Sequence, residues 1–591
     1  MKIYEEYKKV IKNIGTIKKA YFTSFNLDID FVESYILPPL LGETQIKNNN
    51  SMRLKREDLN TKLKKVEIKF FYDPSMLSFN YKQTLVDIKP VKQENGVFHP
   101  KVIYLEGVNS KYIIVGSGNL TVSGWGRNIE TFQVLKITND NLHNQVLNFL
   151  DDVFEKAGLA RERKTLRKTD YNHKNNFIYS HKKEATSFFL EQMKLEQSLT
   201  IFSPYFSDLD ELFNKNEFKN IDKIKIVPNL TDNIKIGAKE PKECKDKVSF
   251  YYFNKSEFYE KNSDSMNHSK VWISDSKYAI GSYNCTEAAL YGTNFEAAII
   301  MDEKDVDIDS CDYIKPRDYS KLEFREDEKG YGEEELGDKP RFTKVFKMVA
   351  DYKETKLALH EVKNTKDGVK LEKAKNINIT LPSFGDKKIT PKELDKLDRS
   401  ETLGVINSLV RDKLFKIYNS ESELIFQGII EEIGVTDDNR FTVGANSLEE
   451  LFTYTDPKNP TKSKRLENRT ISSNIRDSFY KKKKHKPKYN YFEMFTYFKN
   501  LDAKFEKIKN MPNMPKELEV FCEKSICSLS KVMQLLEKQK NDKNIFIYLS
   551  IEEFNKLAVK VNKIYKKIDF KIRNIDIIDK KDKEFISKVM K

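Results

Sequence analysis

Residues 98–121 and 267–286 carry the same set of reactive side chains at nearly the same spacing. Each segment has a histidine, a lysine two positions later, a short strand-like run and then Gly-Ser-x-Asn. An imidazole can attack or protonate near neutral pH, because its unperturbed pKa is about 6.5, and an ammonium group can hold an anionic oxygen. This combination suits chemistry on a phosphate ester.

The two pairs are His99 with Lys101 and His268 with Lys270. In an extended chain, residues i and i+2 face the same side, so we expect the members of each pair to point the same way. A lysine buried in a core strand is costly unless it holds an anion, and its repetition beside a histidine indicates an anion site. Because the chain has only seven histidines, coincidence is a poor explanation for two matched segments.

The Gly-Ser-x-Asn turns add short donors beside each pair: Ser117 and Asn119 in the first segment, Ser282 and Asn284 in the second. The glycine before each serine permits close backbone approach. If the segments face each other, two histidines, two lysines and two asparagines surround one pocket. One imidazole would then attack phosphorus, and the other would protonate the leaving oxygen. Water would hydrolyse the phosphohistidine, and neither a metal nor another cofactor would be required.

Both segments close a repeated α/β unit. A strand and an Asp-capped helix are predicted at 20–42, a second strand at 66–74, and a hairpin where KVIYLE and KYIIVGS flank the turn GVNS. The same order begins again at 199–213 and ends in a hairpin of KVWISD and KYAIGS. The sequence therefore predicts an internal duplication, with two pseudo-symmetric α/β halves.

The composition of the chain changes after the second half. An acidic stretch with few apolar residues predicts a linker. It is followed by strand-like segments such as INITLP and ELIFQGII, and then by a region in which apolar residues recur at helical spacing. The predicted domains are a first half at 1–165, a second half at 166–305, an acidic linker at 306–340, a small β-rich or mixed domain at 341–455 and a helical region at 456–591.

The two segments resemble the signature of the phospholipase D superfamily, HxK(x)4D followed by GSxN. The second segment fits it with Asp275 at the acidic position, whereas the first has Glu106 there. GSGNLTVSGWG around Trp125 is also similar to the branch that includes tyrosyl-DNA phosphodiesterase, in which the signature Asp is absent. The resemblance covers residues 15–305 and implies that the two halves have mixed sheets and share one site.

The resemblance also implies roles. It makes the N-terminal histidine the nucleophile and the C-terminal one the general acid. A polar or acidic residue eleven or twelve positions after each Asn often orients the imidazole of the opposite half, and Glu130 and Glu296 stand there. The predicted catalytic residues are thus His99, Lys101, Asn119, Glu130, His268, Lys270, Asn284 and Glu296, with Ser117 and Ser282 positioning the phosphate.

The net charge of +14 suits a polyanionic partner, although a compositional bias towards lysine explains it equally well. The run formed by Lys481, Lys482, Lys483 and Lys484 is a candidate nucleic-acid contact, with a solvated face as the alternative. The sequence shows no signal-peptide-like segment, no membrane-span-length apolar run and no metal-like cysteine spacing. We therefore expect a cytoplasmic protein without a membrane partner.

These observations predict a metal-independent phosphodiesterase acting on nucleic acid, most plausibly a DNA nuclease. A role in bacterial defence rests on analogy alone. The alternatives are a DNA-end repair phosphodiesterase, a lipid hydrolase and a non-catalytic nucleic-acid-binding protein. The missing export signal counts against lipid, and two complete histidine–lysine pairs count against a binding protein. A protein partner through the C-terminal region remains open.

Overall fold

A six-stranded sheet and an eight-stranded sheet form the two halves of the protein in a computed structural model. The predicted mixed α/β fold is confirmed. The structure describes residues 2–42, 66–76, 86–93, 96–159, 167–180, 187–231, 235–253, 266–302, 314–324, 342–434 and 491–573, the last three ranges with short gaps.

The first sheet is built from short strands rich in aromatic and β-branched residues, as expected for a buried sheet. Its strands are β1 (Ile17–Ser24), β2 (Glu67–Tyr72), β3 (Ile88–Pro90), β4 (Val102–Gly107), β5 (Lys111–Gly116) and β6 (Phe132–Lys136). Their order in the sheet is β3-β2-β1-β4-β5-β6. The pairs β1–β2 and β2–β3 are parallel, and the pairs from β1 to β6 on the other side are antiparallel.

The second half repeats this topology. Its strands are β7 (Asn175–Tyr179), β8 (Ser198–Phe202), β9 (Lys223–Val227), β10 (Leu230–Thr231), β11 (Lys235–Ile236), β12 (Val248–Phe253), β13 (Val271–Ser274), β14 (Lys277–Gly281), β15 (Ala297–Asp302), β16 (Ile314–Pro316) and β17 (Glu323–Phe324). The inner order β12-β9-β8-β13-β14-β15 matches the first sheet strand for strand, with β16 and β7 added at the edges. The parallel and antiparallel pairs also match.

Short helices follow equivalent strands in the two halves. Asp28 caps the helix that begins at Ile29, and Asp208 caps the helix Leu209–Phe213, because each carboxylate accepts a backbone N–H of the first turn. The helices of the two halves are Lys2–Ile14, Ile29–Phe31, Val32–Ile36, Leu37–Leu40, Ser123–Arg127, Asp140–Lys156, Phe188–Met193, Leu209–Phe213 and Glu287–Leu290.

A shared hydrophobic core joins the two sheets. Tyr21, Phe98 and Phe149 from the first half are clustered with Phe202 and Phe295 from the second. The rings of Phe98 and Phe295 stack with centroids 5.6 Å apart. Burial of this apolar surface holds the halves in one arrangement, so the ends of equivalent strands can form a common site.

One predicted boundary needs correction. Residues 306–340 were expected to form an acidic linker, but β16 pairs with β12 in the second sheet, and β17 joins β10 and β11 in a small three-stranded sheet. These short strands therefore belong to the second half. The sequence signal was weak because an edge strand of three residues carries little hydrophobic pattern.

The described part of the region after the halves, residues 342–434, is β-rich; the rest of the predicted domain at 341–455 lies outside the described residues. Two four-stranded sheets have the orders β20-β19-β18-β25 and β22-β21-β23-β24. Their strands are β18 (Val345–Asp351), β19 (Lys356–Thr365), β20 (Gly368–Lys373), β21 (Asn378–Thr380), β22 (Lys388–Ile389), β23 (Leu414–Tyr418), β24 (Leu424–Ile429) and β25 (Glu431–Ile433). A short helix, Pro391–Leu394, begins with a capping box. We call residues 342–434 the β-rich domain.

The C-terminal part is helical, as the periodicity predicts. Leu501, Leu536 and Phe554 belong to a separate core of this region. No helix among the described residues is both long and apolar enough to span a membrane. The helices are Tyr491–Lys509, Met514–Glu519, Val520–Lys524, Leu529–Gln539 and Ile545–Asn562.

Candidate active site

His99 and His268 lie at the contact between the two halves, each just before the strand that starts its hairpin. The His99 N–H donates to the Phe295 carbonyl at 2.9 Å, and the His268 N–H donates to the Ile129 carbonyl at 3.0 Å. Each histidine backbone is therefore bonded to the opposite half. The residue after each accepting carbonyl is a glutamate, Glu296 or Glu130.

The two glutamates cross between the halves to reach the imidazoles. Glu296 Oε2 lies 2.8 Å from His99 Nδ1, and Glu130 Oε1 lies 2.8 Å from His268 Nδ1. All four side chains are buried, with at most 5% exposed. A carboxylate accepts a hydrogen bond from Nδ1–H, which leaves Nε2 of each ring as the reactive nitrogen and stabilises the charged form of the ring.

Each lysine folds back onto its own histidine. Lys101 Nζ donates to the His99 carbonyl at 2.9 Å, and Lys270 Nζ donates to the His268 carbonyl at 3.0 Å. Lys270 Nζ also lies 3.1 Å from His268 Nε2. Both lysines are buried. The members of each pair thus share one side of the chain, and an ammonium group lies beside the reactive nitrogen of His268.

The two serines, predicted to position the phosphate, contact neighbouring strands instead. Ser117 Oγ donates to Glu130 Oε2 at 2.5 Å and accepts the Thr131 N–H at 3.0 Å. Ser282 Oγ donates to the Ala297 carbonyl at 3.3 Å and accepts the Ala297 N–H at 3.0 Å. Their hydroxyl protons are used within the protein, so direct phosphate contacts would have to replace these bonds.

The two asparagines differ in their contacts. Asn119 Oδ1 accepts the Asn26 N–H at 3.3 Å and the Ser24 hydroxyl at 3.4 Å. Asn284 is 4% exposed, and its Oδ1 has no hydrogen-bond partner within the described part of the chain. Its amide therefore offers a buried acceptor to a donor from substrate or water.

The glycine of each Gly-Ser-x-Asn turn permits close approach of the strand that leads from the glutamate. A Cβ at Gly116 would lie 2.5 Å from the Thr131 carbonyl oxygen, and one at Gly281 would lie 2.2 Å from the Ala297 carbonyl oxygen. Both distances are too short for a side chain. These positions therefore require glycine if the adjacent carboxylate is to reach the opposite histidine.

Two aromatic residues that the sequence analysis missed flank the pairs. The Phe25 ring contacts the His99 ring edge-on with centroids 5.2 Å apart, and the Tyr205 ring lies similarly 6.3 Å from the His268 ring. Lys101 Nζ lies 5.6 Å from the centroid of Phe25, and Lys270 Nζ lies 6.0 Å from that of Tyr205. Phe25 directly follows β1, whereas Tyr205 lies three positions after the end of β8, so the repeat gave no matched pair of positions that would have identified them.

A buried carboxylate was also missed. Asp73 directly follows β2 and is 4% exposed. Its Oδ2 accepts the Phe98 N–H at 2.8 Å and its Oδ1 accepts the Ser75 N–H at 2.9 Å. Burial raises the pKa of Asp73 to about 6, against the opposing effects of these two N–H donors and of nearby His99. In the sequence, Asp73 stands out only as part of an Asp-Pro pair that ends a strand, which does not indicate a place in the site.

The acidic positions of the family signature lie away from the histidine ring contacts described above. Asp275 accepts the backbone N–H groups of Gln197 and Ser198 at 2.8 and 2.9 Å, at the start of β8. Glu106, its counterpart, accepts the Tyr104 hydroxyl at 2.8 Å. Both contacts stabilise the hairpin and its neighbours, so the departure at Glu106 leaves the histidine contacts intact.

The structure thus brings together both histidine–lysine pairs and both glutamates, with Ser117 bonded to Glu130 and Ser282 bonded to the backbone of Ala297. The cluster contains two ammonium groups, two carboxylates and two imidazoles whose Nε2 atoms are not the ones bound by glutamate. Such a set can attack an electrophilic centre, donate a proton and balance negative charge. The predicted contacts of Lys481 to Lys484 fall outside the described residues.

No family model matches the sequence, and no curated protein matches it. Among solved structures, the phosphatidylserine synthase of Haemophilus influenzae Rd KW20 matches with 13% identity and a TM-score of 0.38, over 55% of this chain and 87% of its own. The yeast tyrosyl-DNA phosphodiesterase matches with 13% identity and a TM-score of 0.32, over 50% and 86%. Both are members of the superfamily that the motifs resemble.

The polyphosphate kinase of Porphyromonas gingivalis also matches, with 8% identity and a TM-score of 0.33, over 50% of this chain and 45% of its own. With identities and TM-scores this low, no activity or residue role is transferred from these proteins. The roles considered below rest on the geometry of the histidines, lysines and glutamates.

Proposed function

We propose that this chain is a phosphodiesterase that works through a phosphohistidine intermediate and acts on nucleic acid, with DNA favoured over RNA. The observation that carries the proposal is the pair of crossed contacts in which Glu296 holds His99 Nδ1 and Glu130 holds His268 Nδ1, each at 2.8 Å. Each contact engages Nδ1, so Nε2 is the nitrogen of each ring that we expect to take part in the reaction.

In the first step, the Nε2 lone pair of neutral His99 attacks phosphorus. The bond between phosphorus and the leaving oxygen breaks, and that oxygen takes the proton from Nε2 of protonated His268. Attack gives His99 a positive charge on its phosphorylated ring, and the carboxylate of Glu296 at Nδ1 stabilises this charge. The first product is then an alcohol, and phosphorus is bound to His99.

In the second step, His268 acts as a base. Its neutral Nε2 removes a proton from water while the water oxygen attacks phosphorus, and the electron pair of the P–N bond returns to His99. Lys101 and Lys270 are positioned to hold the non-bridging oxygens in both steps, because each ammonium is already fixed beside its histidine. The pair of histidines ends in its starting protonation state.

The choice of nucleic acid as substrate is supported by the net charge of +14. A DNA nuclease is the favoured reading, and a repair enzyme that removes an adduct from a DNA end is the alternative. A role in defence against foreign DNA, a cytoplasmic location and a protein partner of the C-terminal region remain predictions from the sequence.

The deciding experiment is an assay of the purified protein, in excess EDTA, on end-labelled single- and double-stranded DNA and RNA. A 3′-tyrosyl oligonucleotide and phosphatidylcholine are assayed separately as alternative substrates. His99→Ala serves as the inactive control. Internal cleavage of DNA supports a nuclease, and release of tyrosine alone supports the repair reading. Cleavage of no phosphodiester, or cleavage that survives loss of His99, contradicts the proposed function.

A further inference from the structure

The two half-sites share the contact of each histidine with a glutamate of the opposite half, but they differ in a buried group beside each histidine. The Phe98 N–H, one residue before His99, donates to Asp73 at 2.8 Å. In the second half the Asn267 N–H, one residue before His268, donates to Asn229 Oδ1 at 2.9 Å. A carboxylate in one half therefore occupies the place that an amide occupies in the other.

The other charged contacts of the two imidazoles are alike in kind, with one exception. Each imidazole has one glutamate of the opposite half at Nδ1 and one lysine of its own half at its carbonyl. Lys270 Nζ also lies 3.1 Å from His268 Nε2, where it disfavours a second positive charge on that ring. Asp73 is a negative charge on the His99 side, and its counterpart in the second half, Asn229, is neutral.

Resting on the proposed function, we propose that Asp73 is a positioning residue that directs covalent phosphorylation to His99 rather than to His268. Each imidazole is held at Nδ1 by a glutamate at 2.8 Å, so this contact does not choose between the two histidines. The asymmetry between Asp73 and Asn229 makes the choice by charge. No contact between Asp73 and substrate is required.

The reason lies in where the positive charge goes. Before attack, one ring is protonated at Nε2 and the other is neutral, whichever of them is the nucleophile. After attack, the phosphorylated ring is positively charged and the other ring is neutral. The covalent state on His99 places this positive charge next to Asp73, whereas the covalent state on His268 places it next to the neutral amide of Asn229. In a buried site of low effective dielectric, the first state is lower in free energy.

Asp73 is fixed beside His99, and its ionised form is favoured when that ring is positive. Burial raises the pKa of Asp73 to about 6, whereas a positive charge on the nearby His99 ring lowers it. Two backbone N–H groups hold its two oxygens. The turn that supplies the second of these is itself held by the β-rich domain, because the Phe342 N–H donates to Ser75 Oγ at 3.1 Å. The carboxylate therefore has little freedom to turn away from His99.

The test exchanges the two side chains in the full-length protein. The variants are Asp73→Asn, Asn229→Asp and the double exchange, with bis(4-nitrophenyl) phosphate as the probe and Asp222→Asn, a surface change on the second half, as the matched control. The reaction is stopped at alkaline pH, where phosphohistidine is stable, and the modified peptide is identified by mass spectrometry. Thermal unfolding of each variant is measured in parallel.

We expect the adduct on His99 in the wild type and the control, on both histidines in Asn229→Asp, and mainly on His268 in the double exchange. Asn229→Asp keeps the acceptor for the Asn267 N–H, so it provides the test even if Asp73→Asn, which loses one acceptor, does not fold. An adduct that stays on His99 in both Asn229→Asp and the double exchange overturns the inference, as does a wild-type adduct on His268. A wild type that hydrolyses no phosphodiester overturns the proposed function itself.

Discussion

Glu296 Oε2 lies 2.8 Å from His99 Nδ1, although the two residues are 197 positions apart and belong to different halves. The contact is one of a pair, since Glu130 reaches His268 in the same way across 138 positions. Neither half can therefore build its own half-site. The two segments are therefore expected to form one site together and not two independent sites.

Removing the charge of either glutamate should slow turnover strongly while leaving the fold intact. In Glu296→Gln the phosphorylated His99 ring loses its carboxylate, so we expect adduct formation to fall by about 10²- to 10⁴-fold, the range of a lost acid–base or orienting group. Glu130→Gln should instead affect protonation of the leaving group, so its defect should shrink with a good leaving group such as 4-nitrophenol. Single-turnover kinetics with two leaving groups measures this difference, and equal defects would contradict the division of roles.

Much of the site could be predicted from the sequence because the duplication places matched residue types at nearly matched spacing. The crossing glutamates, Glu130 and Glu296, were predicted instead from the resemblance to the phospholipase D superfamily. Asp73 could not be found, because its partner, the Phe98 N–H, is 25 positions away and a backbone group leaves no mark in the sequence. Phe25 is a similar case, because an aromatic residue after a strand is more often core than site. The strand β16 is too short to stand out from its acidic surroundings.

The stability of the protein should depend on pH through Asp73. Because burial raises the pKa of Asp73 to about 6 from an ordinary value of about 3.9, the folded state binds this proton more tightly than the unfolded state does. The stability that the folded state gains by keeping Asp73 protonated is fully present below about pH 4 and is lost as the pH rises through about 6. A shift of this size corresponds to roughly 3 kcal/mol.

Thermal unfolding of the wild type and of Asp73→Asn between pH 4 and pH 8 measures this effect. Asp73→Asn has no carboxyl group to titrate at this position. Its free energy of unfolding, relative to that of the wild type, should therefore increase by up to roughly 3 kcal/mol as the pH rises. The acceptor lost in the variant costs the same at every pH and cancels in the comparison. A difference that is constant across this range would contradict the prediction.

The ion network between the first half and the β-rich domain should contribute to stability. Lys89 is buried and pairs with Asp87 at 2.9 Å and with Glu431 of the β-rich domain. Lys89→Met should leave two partly exposed carboxylates with less compensation. The cost should stay below the roughly 3–5 kcal/mol typical of a broken buried pair, because two further lysines remain close. Lys363→Met removes an exposed pair with Glu372, so it should change the free energy of unfolding much less than Lys89→Met does. Thermal melts that rank the two variants in the opposite order would contradict this account.

The two histidines should be separable by the leaving group of the substrate. His99→Ala removes the nucleophile, so it should be inactive on every phosphodiester and form no adduct. His268→Ala removes the acid, so it should be nearly inactive on an alkyl leaving group such as a deoxyribose oxygen. A 4-nitrophenolate leaves without protonation, so the same variant should still be phosphorylated on His99 by bis(4-nitrophenyl) phosphate.

The adduct in His268→Ala should then persist, because no imidazole remains to remove a proton from the attacking water. The expected readout is a burst of one 4-nitrophenol per protein molecule, followed by slow turnover, in excess EDTA. His173→Ala, which changes an exposed histidine, is the control and should behave as the wild type. A burst from His99→Ala and none from His268→Ala would reverse the assignment of the nucleophile. Steady turnover by both variants would show that the reaction uses neither histidine.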